Sequence, residues 1–82
     1  MKVNLYSTVG CHLCEQAKVI LWPLLLQYQF RLNEIDIATD DALIEQYGTR
    51  IPALGVANHT TELNWPFNAQ QVDEFFAELA GL

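Results

Sequence analysis

Eighty-two residues, 51% of them apolar and 17% charged, suit one compact domain (1–82) with its own core and argue against a disordered chain. Ten acidic against four basic residues leave a net charge of −6, which repels phosphate backbones and anionic lipid and argues against a nucleic acid partner. Two cysteines are too few for a disulfide-stapled secreted scaffold, and nothing near Met1-Lys2 resembles a signal peptide. The longest apolar run, Val19 to Leu26, is far shorter than the roughly 20 residues that span a bilayer. A cytoplasmic, membrane-free setting is expected.

Lys2 to Ser7 reads as a short strand, with Val3 and Leu5 on one face and Tyr6 on the other, followed by a loop at Gly10. A helix is expected from about Cys11 to Gln27, where Ala17, Ile20, Leu21, Leu24, Leu25 and Tyr28 form one buried face. Pro23 should kink it near its middle. Beside the buried face runs a second apolar stripe, Val19, Trp22 and Leu26, which asks for a neighbouring helix. Phe30 to Ile37 reads as the second strand, and its alternation slips between Leu32 and Ile35, where Asn33-Glu34 could host a bulge or an irregular start. Thr39 is placed to cap a helix with Asp40 and Asp41 in its first turn, Leu43, Ile44 and Tyr47 on its buried edge, and Gly48 as its stop. Pro52 to Ala57 and Thr60 to Trp65 read as a hairpin about Asn58-His59. Asn68 and Gln71 make a capping box for a last helix that buries Val72, Phe75, Phe76 and Leu79 and ends before Gly81.

One parallel strand–helix–strand unit followed by a hairpin and a helix implies a mixed four-stranded sheet, with the first and last helices on one face. That placement offers the Phe75/Phe76 helix as the partner of the Val19/Trp22/Leu26 stripe, so a monomer is expected. The segment Ser7-Thr8-Val9-Gly10-Cys11-His12-Leu13-Cys14 carries both cysteines, three positions apart, where the strand pattern gives way to the helical one. Two thiols at this spacing lie within one helical turn and can close a small disulfide, and the free amides of a helix start stabilise a thiolate on the first.

With Cys11-His12-Leu13-Cys14 at a strand-to-helix junction and Ile51-Pro52 before the third strand, 38 residues after Cys14, the chain resembles the thioredoxin superfamily, and most closely small glutaredoxin-like proteins, over its full length. The resemblance implies a β-α-β-α-β-β-α thioredoxin-like fold with strand order 2-1-3-4 and a thiol–disulfide oxidoreductase activity toward protein or small-molecule disulfides, coupled to a cellular reductant such as glutathione or a thioredoxin reductase system. It assigns Cys11 as nucleophile and Cys14 as resolving thiol, makes the Ile51–Pro52 bond cis, and leaves the Ile51 backbone to pair with substrate. His12, between the cysteines, lowers the Cys11 pKa if protonated. Glutaredoxins usually hold glutathione with a lysine before the first cysteine and a Gly-Gly followed by acidic residues near the last helix. Here Ser7-Thr8-Val9 and Asn64-Trp65-Pro66-Phe67-Asn68 occupy those regions, and Arg50, the one basic side chain expected near the site, could hold a carboxylate of glutathione or of a protein partner. Glutathione is thus no more than a candidate co-substrate, and no bound cofactor is expected.

Two other readings compete. A thioredoxin-fold adaptor could dock an extended peptide at the Ile51-Pro52 edge without exchanging thiols, and a metal or cluster site could take Cys11 and Cys14 with His12, His59 or a partner's residue as further ligands. The second is weakened because His12 cannot easily turn back onto a metal held by its own flanking cysteines. His59 is otherwise expected to be exposed and inert, and Tyr6, Trp65 and Phe67 to serve packing before substrate contact.

Overall fold

The computed structural model describes residues 1–57 and 59–81. Strand β1 (Lys2–Ser7) leads through a turn into α1 (His12–Tyr28), then β2 (Arg31–Asp36), a 3-10 turn (Ile37–Thr39), α2 (Asp41–Tyr47), β3 (Ala53–Gly55), β4 (Leu63–Asn64) and α3 (Ala69–Leu79). The strands form one sheet in the order β2-β1-β3-β4, with β1 and β2 parallel and the other pairs antiparallel. This is the order that the resemblance implies. None of the described helices is long and apolar enough to cross a membrane.

Alternation along β1 divides the core in two. Val3 and Leu5 lie fully buried on the face covered by Ala17, Leu21 and Leu25 of α1 and Val72, Phe75, Phe76 and Leu79 of α3. Each large side chain so enclosed stabilises the fold by about 1.5–3 kcal/mol. On the opposite face Tyr6 joins a smaller cluster with Ile37, Leu43, Tyr47, Ile51 and Ala53. Tyr28 ties α1 to α3 by donating its hydroxyl hydrogen bond to the Asp73 carboxylate, which raises the Tyr28 pKa. At the start of α3 the expected capping box is present in both directions, from Asn68 to the Gln71 amide and from the Gln71 side chain to the Asn68 amide.

Several expectations need correction. The Val19/Trp22/Leu26 stripe does not meet α3: these residues are 73%, 52% and 77% exposed. At 3.6 residues per turn they fall on the side of the cylinder away from Ala17, Leu21 and Leu25, and one straight helix cannot turn both stripes toward the same neighbour. The helix continues through Pro23, which supplies no N–H to the Val19 carbonyl. No bulge interrupts β2, because its parallel register with β1 runs unbroken from Lys2↔Arg31 to Ser7↔Asp36. The slip in alternation has another cause. Leu32, Glu34 and Asp36 share a face, and that face turns from apolar to acidic toward the end of the strand, while Asn33 on the other face pairs its side chain with Asn4 at 3.0 Å.

Asp40, not Thr39, caps α2, accepting from the Ala42 amide at 2.8 Å, and Thr39 Oγ1 instead donates to the Asp36 carbonyl inside the 3-10 turn. Ile44 is exposed, which narrows the buried edge of α2 to half-buried Leu43 and buried Tyr47. Gly48 closes α2 with right-handed backbone, where a Cβ would stand 2.5 Å from the Ile44 carbonyl oxygen. The hairpin strands are shorter than expected. Polar residues fill much of the connection, and the Thr61 amide bonds locally to His59 Nδ1 at 3.3 Å instead of extending a ladder. Asn58, half of the expected turn, lies outside the described residues.

Candidate active site

The β1–α1 turn brings the chemistry together. Gly10 adopts φ 81°, a left-handed conformation that a side chain disfavours, and it delivers Cys11 to the N-cap of α1. The helix thus begins one residue later than the periodicity suggests, and the difference matters. From the cap, Cys11 Sγ accepts the backbone N–H of Cys14 at 3.1 Å, the contact that a capping serine or aspartate oxygen makes elsewhere. Cys11 and Cys14 are joined as a disulfide with Cα atoms 5.3 Å apart. Cys11 is partly open, whereas Cys14 is 1% exposed and packed under the first turn. Cys11 is therefore the more accessible of the two residues.

His12 occupies the first position of α1 and is exposed beside exposed Leu13. Pro52 is fully buried, and the Ile51–Pro52 bond is cis. Antiparallel pairing sets Tyr6 opposite Ala53; one residue further, it brings Pro52 to the Ser7 end of β1, the end that carries the disulfide. The Pro52 carbonyl accepts from the Trp65 amide at 3.1 Å, while the N–H and C=O of Ile51 have no backbone partner among the described residues. A second cis bond, Trp65–Pro66, was not signalled by the sequence. Trp65 and Phe67 pack edge to face at 5.1 Å between ring centres, and Tyr6 stacks on Tyr47 at 4.0 Å.

Arg50 is committed to its own chain. Its guanidinium donates to the Gln46 carbonyl through Nε at 3.0 Å and Nη2 at 2.9 Å, lies over the Tyr47 ring and approaches Glu62 at 3.7 Å. Tyr47 donates its hydroxyl to the Glu62 carboxylate, and burial together with that acceptor raises its pKa strongly. Among the described residues, no group of three or more His, Cys, Asp and Glu side chains is placed to hold a metal ion.

A polar network that sequence reasoning missed lies under the β1–α1 turn. Ser7, 2% exposed, donates to Glu34 Oε2 at 2.8 Å, and Lys18 of α1 reaches Glu34 Oε1 at 2.9 Å and Glu15 at 3.3 Å. The hydrogen bond from Lys18 and that from Ser7 hold the Glu34 carboxyl below the usual glutamate range, against the opposing effect of burial. Reciprocally, Glu34 is the main cause that raises Lys18. The interrupted alternation at Asn33-Glu34 was the visible trace of this arrangement.

Residues 2–77 match the family described as glutaredoxin-like domain (DUF836). Protein XcR50 from X. campestris is similar to the chain in its X-ray structure, with 32% identity over 93% of this chain and 96% of that one and a TM-score of 0.76. The solution structure of protein Ne2328 from Nitrosomonas europaea shows 29% identity over 90% and 88% of the two chains, also with a TM-score of 0.76. At 17% identity, a mutant thioredoxin from Halobacterium salinarum NRC-1 shares the fold over 94% of this chain and 72% of its own, with a TM-score of 0.71. None of the curated proteins matches in sequence. On the family match and the full-length likeness together, the chain belongs to the glutaredoxin-like domain family, with a Cys11–Cys14 pair at disulfide distance on a thioredoxin-like fold.

Proposed function

We propose that the protein is a dithiol–disulfide oxidoreductase in which Cys11 attacks the substrate disulfide and Cys14 resolves the product. The observation that carries this reading is the Cys11 sulfur at the cap of α1, taking the Cys14 amide at 3.1 Å while bonded to a buried partner sulfur. The same amide and the positive end of the helix dipole favour a thiolate over a thiol on Cys11 in the reduced protein. That thiolate displaces one sulfur of a substrate disulfide, which leaves as a thiolate and is protonated by water. The Cys14 thiolate then attacks Cys11 Sγ, the second substrate sulfur leaves, and the two electrons gained by the substrate are those lost in closing Cys11–Cys14.

The unpaired backbone of Ile51 beside buried Pro52 supports a role in aligning an extended substrate segment. Substrates are disulfide-bearing proteins or small thiols, and turnover draws on a cellular reductant of a reducing, cytoplasmic compartment. The intramolecular bonds of Arg50 speak against its holding a glutathione carboxylate. Incubating each single variant with a disulfide-bearing protein tests the roles: Cys14→Ser should accumulate a mixed disulfide through Cys11, and Cys11→Ser none. Equal trapping by both variants would remove the assignment.

A further inference from the structure

Resting on the oxidoreductase reading above, we propose that the site is built for cationic disulfides, in which lysine or arginine flanks the reacting cystine, and that Asp36 and Glu34 select them. The parallel strands give the sheet a charge polarity. Their first pair is Lys2↔Arg31 and their last is Ser7↔Asp36. Five steps of about 3.3 Å along the six-residue strand put these two cations about 17 Å from the disulfide end, beyond the roughly 8 Å over which charges act at physiological salt. The other two cations are bound by the chain itself, Lys18 between Glu34 and Glu15, and Arg50 on Gln46 and Glu62.

Beside the β1–α1 turn that presents Cys11 lies an open depression of about 440 Å³, lined by Ser7 to Gly10, Glu15, Glu34 and Asp36. Lys18 pairs with Glu34 and Glu15 and offsets one of the three negative charges in that lining, and the Asp36 carboxylate has no cationic partner among the described residues. A substrate that seats its sulfur at Cys11 passes this uncompensated charge. Each half of glutathione disulfide carries two carboxylates and one ammonium and meets repulsion; a Lys- or Arg-flanked cystine supplies the missing counter-charge. The selecting step is the first exchange, in which Cys11 thiolate takes one substrate sulfur and the other leaves with a proton from water. Its electrons come from the protein's own two thiols, so one turnover needs no other reductant.

The test is a single-turnover measurement on the fully reduced protein with two disulfide peptides that differ only in flanking lysines or glutamates, and with glutathione disulfide. Each rate is divided by the rate of the same disulfide with neutral dithiothreitol, which removes differences in intrinsic reactivity. The cationic peptide should react about tenfold faster than its anionic twin at low salt, the lower end of what charge steering delivers, and the ratio should fall toward one at high salt. Asp36→Asn keeps the acceptor for the Ala38 amide and should shrink the ratio severalfold, while Glu78→Gln, the same change of net charge on α3, should leave it unchanged. An anionic peptide reacting as fast, or a ratio that Asp36→Asn and Glu78→Gln move equally, overturns the selection. Failure of all three disulfides to oxidise the reduced protein overturns the oxidoreductase reading and this one with it.

Discussion

Removing the Glu34 side chain should destabilise the protein, and then removing the Ser7 hydroxyl as well should restore part of the loss. Ser7 is 2% exposed and its hydroxyl donates to Glu34, so Glu34→Ala leaves a buried donor without its partner, at a cost of about 1–3 kcal/mol. The Lys18 ion pair adds little, about 0.5 kcal/mol, because the Glu34 side chain is 43% exposed and solvent screens the pair. The single variant should therefore lose about 2 kcal/mol. Ser7→Ala removes both the donor and its requirement and places a methyl group in a buried position, so it should cost about 0.5–1 kcal/mol. The double variant should sit about 1 kcal/mol above Glu34→Ala, which amounts to a coupling of about 1.5–2 kcal/mol, within the range for groups in direct contact.

Urea denaturation of the four proteins at pH 7 reads these differences directly. With about 1–2 kcal/mol per molar urea for a small domain, Glu34→Ala should move the midpoint down by about 1–2 M. Acid should narrow the gap. The folded Glu34 carboxyl is held below the usual range, so its contribution is complete above pH 4.5, where a free glutamate titrates, and is lost as pH falls through the lower folded value. Two additive single variants, or a double variant less stable than Glu34→Ala, would show that water reaches Ser7 and that the pair does not act as a unit.

The two stripes of α1 should separate cleanly in the same assay: Leu21→Ala should cost about 2–5 kcal/mol as a buried cavity, whereas Val19→Ala and Trp22→Ala should stay within about 0.5 kcal/mol of the parent. Gly10→Ala should cost about 1 kcal/mol through its positive φ alone, since an added Cβ meets nothing within 4 Å; circular dichroism melts would show it as a lowered Tm with an unchanged spectrum. Tyr47 should make the fold alkali-sensitive. Its folded pKa is raised, so its contribution is present below about pH 10, where an unfolded tyrosine titrates, and is lost as pH rises toward the folded value. Tyr47→Phe should be less stable than the parent at pH 7 and lose less between pH 9 and 11; parallel losses in the two proteins would remove Tyr47 as the cause.

What could be read from the chain alone divides by the range of the interactions. The turn into α1, the capping box of Asn68 and Gln71 and the buried faces of β1 and α3 depend on neighbours within a turn or a pleat, and each lies where the pattern places it. The strand order rests on topology that those local elements allow. The Ser7–Glu34 bond spans 27 positions and the Tyr47–Glu62 bond 15, and no local pattern names either partner. Glu34 did leave a mark, because an edge strand whose inner face turns acidic breaks its own alternation. A bulge leaves the same mark, and only the unbroken register distinguishes them. Likewise the Val19/Trp22/Leu26 stripe has helical spacing but is left exposed by the described residues, since periodicity reports that residues share a face and not that the face is covered.

The acidic surroundings of the disulfide and the thiolate chemistry assigned to Cys11 are compatible because they act over different ranges. The Cys14 amide meets the sulfur at 3.1 Å, with partial charge aligned along the contact and little solvent between. Glu15 is exposed and tied to Lys18, and Glu34 is tied to both Lys18 and Ser7, so their fields reach Cys11 already paired and screened. In water two unit charges 4 Å apart interact by only about 1 kcal/mol, and an exposed carboxylate farther off does less than a directed hydrogen bond. On the proposed mechanism the helix cap is the main influence on the sulfur of the reduced protein. An approaching substrate, by contrast, meets the sum of the exposed charges before it meets the cap. If both proposals hold, the two tasks are separate: α1 makes the nucleophile, and the end of β2 decides which disulfides come near it.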